Sequence, residues 1–191
     1  MKLELWTPLD STQVLQGFGV NGDYYRANGI NIKGHNGIDF KAYHGAIVRA
    51  AHDGTIVFAG EDGKNGTLVV VRTNEAREYG NEEAFFKTLY GHGIAQVPVK
   101  VGQRVSVGDI IMYANSTGFS HGDHLHFGLK PQYYGESDDA WYNLEDGNGY
   151  FGAISPDPYF NGKSAIQGKL LYAALYEIKA LWIKVLAQFK K

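Results

Sequence analysis

The 191-residue chain contains no cysteine. That excludes disulfide staples and thiolate metal centres, so a metal such as zinc would have to be held by His, Asp or Glu. Long apolar runs are also missing. The most apolar stretch, near the C-terminus, is interrupted by Lys169, Glu177, Lys179 and Lys184, short of the roughly 18 uninterrupted residues expected of a membrane-spanning helix. Residues 1–8 contain no apolar segment of about 7–15 residues, so no secretory signal peptide is expected and export would take another route. Basic charge is scarce in the main body: residues 1–162 carry 12 Lys and Arg against 19 Asp and Glu, whereas residues 163–191 carry 6 and 1. An acidic body without basic patches interleaved with aromatics makes nucleic acid an unexpected partner and marks the tail as a separate object.

Glycine and short β-branched or aromatic runs are plentiful. The length supports one core, and the composition predicts a mainly β class. Strand signals fall at 47–50, 54–59, 67–72 and 85–90, punctuated by Asp53-Gly54 and Asp62-Gly63, and read as adjacent antiparallel strands. Residues 12–34 read as loop, the polar stretch 74–83 as an exposed excursion, and the alternating valines of 97–101 and 105–107 as two short strands. Residues 131–162 read as a wrap or linker. Beyond Ser164 the pattern changes: Leu171, Leu175, Ile178, Trp182, Val185 and Phe189 recur at intervals of four and three, the seam of an amphipathic α-helix. The expected organisation is a domain over 1–162, with the wrap from about 131, followed by a basic amphipathic helix over 163–191.

Three histidine-bearing segments carry the chemical interest. In His124-Leu125-His126 a strand would point both imidazoles to one face and Leu125 to the other, which suits a metal site as well as it suits a polar strand surface. In His35-Asn36-Gly37-Ile38-Asp39 a tight turn separates an imidazole from a carboxylate that should project opposite Ile38 and Phe40. His92 ends an apolar strand between Gly91 and Gly93, where backbone can come close to a ligand. The last two alone are ordinary turn or strand-edge chemistry, whereas the His124/His126 pair alone leaves both readings open.

Taken in order, His-x-x-x-Asp, Tyr-x-His-Gly and His-x-His-Phe resemble the lysostaphin-type zinc metalloendopeptidases that hydrolyse peptidoglycan. The resemblance runs from about Gly17 to Lys130 and includes residues 34–40, 51–57, 101–105, Gly108-Asp109 and 118–127. It implies antiparallel β-sheets forming a half-open groove of the duplicated hybrid motif type. It further implies Zn2+ held by His35, Asp39 and His126 with one position left open, and catalytic roles for His124, the leading general base, and His92, its helper; which of the two performs which proton transfer stays open. The family's tyrosine upstream of the first metal histidine has no counterpart in residues 28–31, leaving Tyr24 and Tyr25 as the nearest phenols. Asp123 is expected to point away from the metal face, and His44, His52 and His121 lie outside the matching positions.

The implied substrate is the peptide part of bacterial peptidoglycan, cut in stem peptides or cross-bridges. The implied location is extracellular or in the cell wall, including a virion-associated enzyme that opens the wall locally; a non-catalytic wall-binding relative is the other alternative. Residues 164–191 lie outside the resemblance. Their pattern fits self-association, docking, or contact with an anionic membrane surface, with an oligomerisation or docking helix favoured.

Overall fold

Val69, Val70 and Val71 sit in a run whose neighbours on both sides are equally β-prone, and they form the middle of the largest sheet. The computed structural model describes residues 1–134 and 141–188. The strands in chain order are β1 (Leu5–Thr7), β2 (Val14–Gln16), β3 (Ile38–Lys41), β4 (Ile47–Arg49), β5 (Gly54–Glu61), β6 (Thr67–Arg72), β7 (Arg77–Tyr79), β8 (Glu82–Gly93), β9 (Arg104–Val105), β10 (Ile110–Tyr113), β11 (His124–Tyr134), β12 (Trp141–Asn143) and β13 (Phe160–Ser164). Helix α1 covers Gly22–Ala27 and α2 covers Ala165–Gln188. The architecture is mainly β, with antiparallel sheets and a C-terminal helix.

The main sheet runs β2-β3-β11-β8-β6-β5-β9, with β12 added to β11 and β7 to β8. Its two faces differ because side chains alternate along each strand. Ile38 and Phe40 of β3, Phe86 and Tyr90 of β8, and Leu125, Phe127 and Leu129 of β11 are buried in one core. Each large side chain there contributes about 1.5–3 kcal/mol on burial. The opposite face carries Asp39, Leu89, His126 and Lys130 and forms the floor of a groove of about 710 Å³.

Several boundaries differ from the sequence-based expectation. Residues 12–34 are not all loop, since they hold β2 and the six-residue α1. The 97–101 alternation forms no strand; only Arg104–Val105 pairs, with β5, in that region. Val97 and Val99 pack on the core without a ladder partner, which is burial without strand pairing. Residues 74–83 contribute the short hairpin β7–β8. The 131–162 stretch is more ordered than a linker: β11 continues to Tyr134, β12 returns along it, and β13 lies parallel to β1. Residues 135–140 of that stretch lie outside the described residues.

Among the described residues, helix α2 meets the domain at its start. Ala165 is buried, a side chain at Gly168 would touch Trp6 and Val107, and Lys169 pairs with Asp109. Further along, the seam residues Leu171, Leu175, Ile178 and Trp182 are exposed, and so are Leu170, Tyr176, Leu181 and Ile183. The apolar surface is therefore wider than the four-three seam alone. Residues 189–191, including Phe189, lie outside the described residues. Among the described residues no helix is long and apolar enough to cross a membrane.

One buried polar chain crosses the core. The His52 ring bonds through Nδ1 to the carbonyl of Asp53 (2.8 Å) and through Nε2 to the Thr88 hydroxyl (2.9 Å); that hydroxyl lies 3.1 Å from Tyr90, whose oxygen accepts from Ala51 N–H (2.9 Å). Burial pushes the His52 pKa down, against the opposing pull of Asp53. The unfolded chain would bind a proton below about pH 6.5 that the folded chain refuses. Stability from this group is complete above that pH and is lost as pH falls toward the folded-state pKa. Urea unfolding with chelator present should show His52→Gln less stable than the parent by about 1–3 kcal/mol at pH 7.5, with the difference shrinking at pH 5.5. A constant difference would mean that His52 does not titrate on unfolding.

Candidate active site

Antiparallel pairing of β3 with β11 places Asp39 directly opposite His126. On the other side of β11, Gly91 of β8 faces His126. His35 enters from the loop before β3, and the 17–20 segment clamps it. His35 N–H donates to Val20 (2.8 Å), Gly19 N–H donates to the His35 carbonyl (2.7 Å), and the His35 Nδ1–H donates to Gly17 (3.1 Å). That crossing is close enough to require glycine at position 34, where an added Cβ would stand 2.1 Å from the Gly19 oxygen.

The three side chains converge. His35 Nε2 lies 2.9 Å from His126 Nδ1 and 3.0 Å from Asp39 Oδ1, and His126 Nδ1 lies 3.0 Å from the same oxygen. A triangle of that size has points about 2 Å from all three atoms, the distance zinc takes from imidazole nitrogen and carboxylate oxygen. Because His35 Nδ1 carries its proton toward Gly17, its Nε2 lone pair faces the triangle. His35, Asp39 and His126 therefore fit a divalent cation by spacing, donor type and tautomer. Burial alone would raise the pKa of Asp39, but the imidazoles of His126 and His35 against its Oδ1 hold it well below the usual carboxylate range. Burial lowers the pKa of His126, against the pull of Asp39.

His124 and His92 lie beside the triangle, with ring centroids 4.6 Å apart. His124 shares the groove face of β11 with His126, and its Nε2 is 3.7 Å from Asp39 Oδ1. His92 arrives differently. Simple alternation from Tyr90 would bury it in the core, but the β6–β8 register slips between Thr67 opposite Gly93 and Val69 opposite Tyr90. Gly91 and His92 thus oppose the single residue Leu68, forming a β-bulge, and His92 adopts φ 65°. The bulge turns its ring into the groove. His92 Nδ1–H donates to Thr117 (2.7 Å) and His124 Nδ1–H to Gly122 (2.8 Å), so each presents Nε2 to the groove. Burial, with the charge of His126, pushes the His92 pKa down to about 4.

Of the two candidate phenols, Tyr25 lies parallel to the His35 ring, with centroids 6.0 Å apart, and its hydroxyl accepts from Gln16 (2.8 Å). Burial and the charge of Asp39 raise its pKa to about 12, keeping it a hydrogen-bond donor. Tyr24 instead bonds His121 (2.6 Å) across the groove rim. Asp123, expected to point away from the metal face, borders the groove and lies 4.0 Å from His44; β11 begins only at His124, so strand alternation does not govern it. His52 is a core residue and exposed His44 bonds Asn115. Thr117 and Gly122, whose carbonyls aim the two histidines, carry no sequence signal because any residue offers that carbonyl.

A half-open β groove with a His/Asp/His donor set on its floor and two further imidazoles beside it defines the class of metal-dependent hydrolases. The model of Peptidase family M23 matches residues 33–138, and the chain belongs to that family. Family M23 metallopeptidases are zinc-dependent. The chain is 40% identical over 99 residues to the glycyl-glycine endopeptidase ALE-1 of Staphylococcus capitis, covering 52% of this chain and 25% of the relative. It is 37% identical over 93 residues to the DD-carboxypeptidase/endopeptidase Mpg of Neisseria meningitidis, covering 49% and 19%. The chain thus spans about a fifth to a quarter of the length of these curated relatives. Among solved structures, the catalytic domain of lysostaphin from Staphylococcus simulans superposes with TM-score 0.51 at 25% identity, covering 81% of this chain and 87% of that one. A zinc-containing peptidase from Vibrio cholerae gives 0.54 at 28% identity, covering 69% and 37%.

Two substitutions test the local geometry. A Cβ at Gly37 would stand 2.6 Å from the Phe127 oxygen and 2.7 Å from the His126 ring, so Gly37→Ala should weaken zinc binding about 10- to 100-fold, measured by competition with a chelating dye. Zinc affinity equal to the parent's would show that His126 is not the ring displaced. Because position 92 has a left-handed backbone, His92→Gly should be more stable than His92→Ala by about 1 kcal/mol in thermal unfolding, reversing the usual order of these residues.

Proposed function

We propose that this chain is a zinc endopeptidase that hydrolyses amide bonds in peptidoglycan stem peptides or cross-bridges, acting outside the cytoplasmic membrane where that substrate lies. The single observation that carries the reading is the 2.9–3.0 Å triangle of His35, Asp39 and His126 on the groove floor, with His124 and His92 beside it. The chain's 34% identity over 93 residues to the peptidoglycan DD-endopeptidase ShyB of Vibrio cholerae supports the substrate class.

His35, Asp39 and His126 would hold the zinc, which when bound supplies Lewis-acid polarisation of the scissile carbonyl and activation of water near neutral pH. The remaining steps fall to side chains. His124, with Nδ1–H committed to Gly122, has only Nε2 available to take a proton from the attacking water and return it to the leaving amine. His92, held neutral by burial and bonded through Nδ1–H to Thr117, accepts a hydrogen bond at Nε2 and orients that water. Tyr25, kept protonated, has an O–H to donate toward charge developing on the carbonyl oxygen.

Metal content and turbidity loss of purified cell walls test the assignment. The parent should bind zinc near one equivalent and clear walls, with clearing abolished by chelator and restored by zinc. His124→Ala should keep zinc and lose at least about 100-fold in activity; Asp39→Ala should lose both. Comparable clearing by all three proteins would refute the assignment, and mass spectrometry of released fragments would identify the bond cut.

A further inference from the structure

Helix α2 continues from the domain for about 36 Å along its axis. At its start Gly168 lies against Trp6 and Val107, and Lys169 pairs with Asp109; none of these residues lines the groove. Beyond that contact Leu170, Leu171, Leu175, Ile178, Leu181 and Trp182 are each 48–66% exposed. At about 100° per residue, the seam residues Leu171, Leu175, Ile178 and Trp182 occupy about 60° of the helix circumference, and Leu170 and Leu181 widen the apolar arc to about 140°. Lys169 and Lys179 lie on the remaining side, together with exposed Tyr176 and Ile183. Six large apolar side chains open to water along one arc mark a surface built for contact.

Charge decides what that contact is. Residues 170–191 carry Lys179, Lys184, Lys190 and Lys191 against one acid, Glu177, whereas residues 1–162 carry 12 basic and 19 acidic side chains. Two copies of α2 packed face to face would bring like charges together, with Glu177 the one acid each could offer for pairs across the interface. A partner helix would also cover the seam and leave Leu170 and Leu181 wet. An anionic bilayer surface matches both features, because it takes up a broad apolar arc and attracts lysines while repelling the acidic domain. We propose that α2 is an interfacial helix that lies on an anionic lipid bilayer, with its apolar arc sunk to the level of the headgroups and its lysines toward the lipid phosphates. Contact of this kind uses a surface separate from the metal site, so it goes beyond the endopeptidase reading and does not depend on it.

Cosedimentation of the zinc-loaded full chain with vesicles tests this, using phosphatidylcholine alone and phosphatidylcholine with phosphatidylglycerol in equal parts. The full chain should bind the mixed vesicles at least about 10-fold more tightly than the neutral ones, and salt that shortens the Debye length to about 3 Å should remove most of that preference. Leu175 and Trp182 are exposed, so the double variant Leu175→Ser with Trp182→Ser should keep the thermal unfolding of the parent and bind on the order of 100-fold more weakly. Lys179→Gln should weaken binding to the mixed vesicles about 5-fold and leave binding to the neutral ones unchanged. Equal binding of the parent to both kinds of vesicle, or a double variant that binds as the parent does, would overturn the interfacial helix. So would a full chain that ignores both kinds of vesicle; if that chain also sediments as a dimer or larger, and the double variant as a monomer, the arc belongs to a second copy.

Discussion

The pairing of β3 with β11 is the constraint on which the site depends. It sets Asp39 opposite His126, and the two share a face only in this register; a slip of one residue would send one of them into the core. The register is fixed by what lies on the other face, where Ile38, Phe40, Leu125 and Phe127 are all buried. Apolar packing on one side of the sheet thus determines polar geometry on the other. The buried carboxylate is tolerated because two imidazoles converge on it, offsetting a desolvation cost of several kcal/mol.

A second device recurs around the triangle. The Nδ1–H groups of His35, His92 and His124 each donate to a main-chain carbonyl, those of Gly17, Thr117 and Gly122. Each bond selects the tautomer whose Nε2 lone pair faces inward, which is needed both for holding a cation and for accepting a proton. His126 is turned the other way, with Nδ1 in the triangle, and Gly37 leaves room for its ring. The left-handed bulge at His92 belongs to the same design: backbone strain of order 1–2 kcal/mol is retained where it aims a functional side chain.

A carboxylate and four imidazoles occupy the metal end of the groove, and Lys130 lies on its floor beyond them. Helix α2 stands apart from the groove, packed on the domain through Ala165 and Gly168, with Leu171, Leu175, Ile178 and Trp182 exposed.

Much of this was legible in order and spacing. The strand runs at 54–59, 67–72 and 85–90 and the helix beyond Ser164 follow from local period and β-propensity, and the spacing of His35, Asp39, His124 and His126 carries the chemistry of the site, because i and i+2 on a strand share a face. The valines at 97–101 misled because burial and ladder pairing produce the same alternation, and residues 131–162 because β12 and β13 are held by distant partners rather than by their own composition. What the sequence determined by itself was the set of donor atoms and their local facing, which depend on neighbours a few residues away. Only the tertiary structure decided that His92 turns out of the core and that three carbonyls orient three rings, because a bulge and a carbonyl contact exist only once separate segments are hydrogen-bonded together.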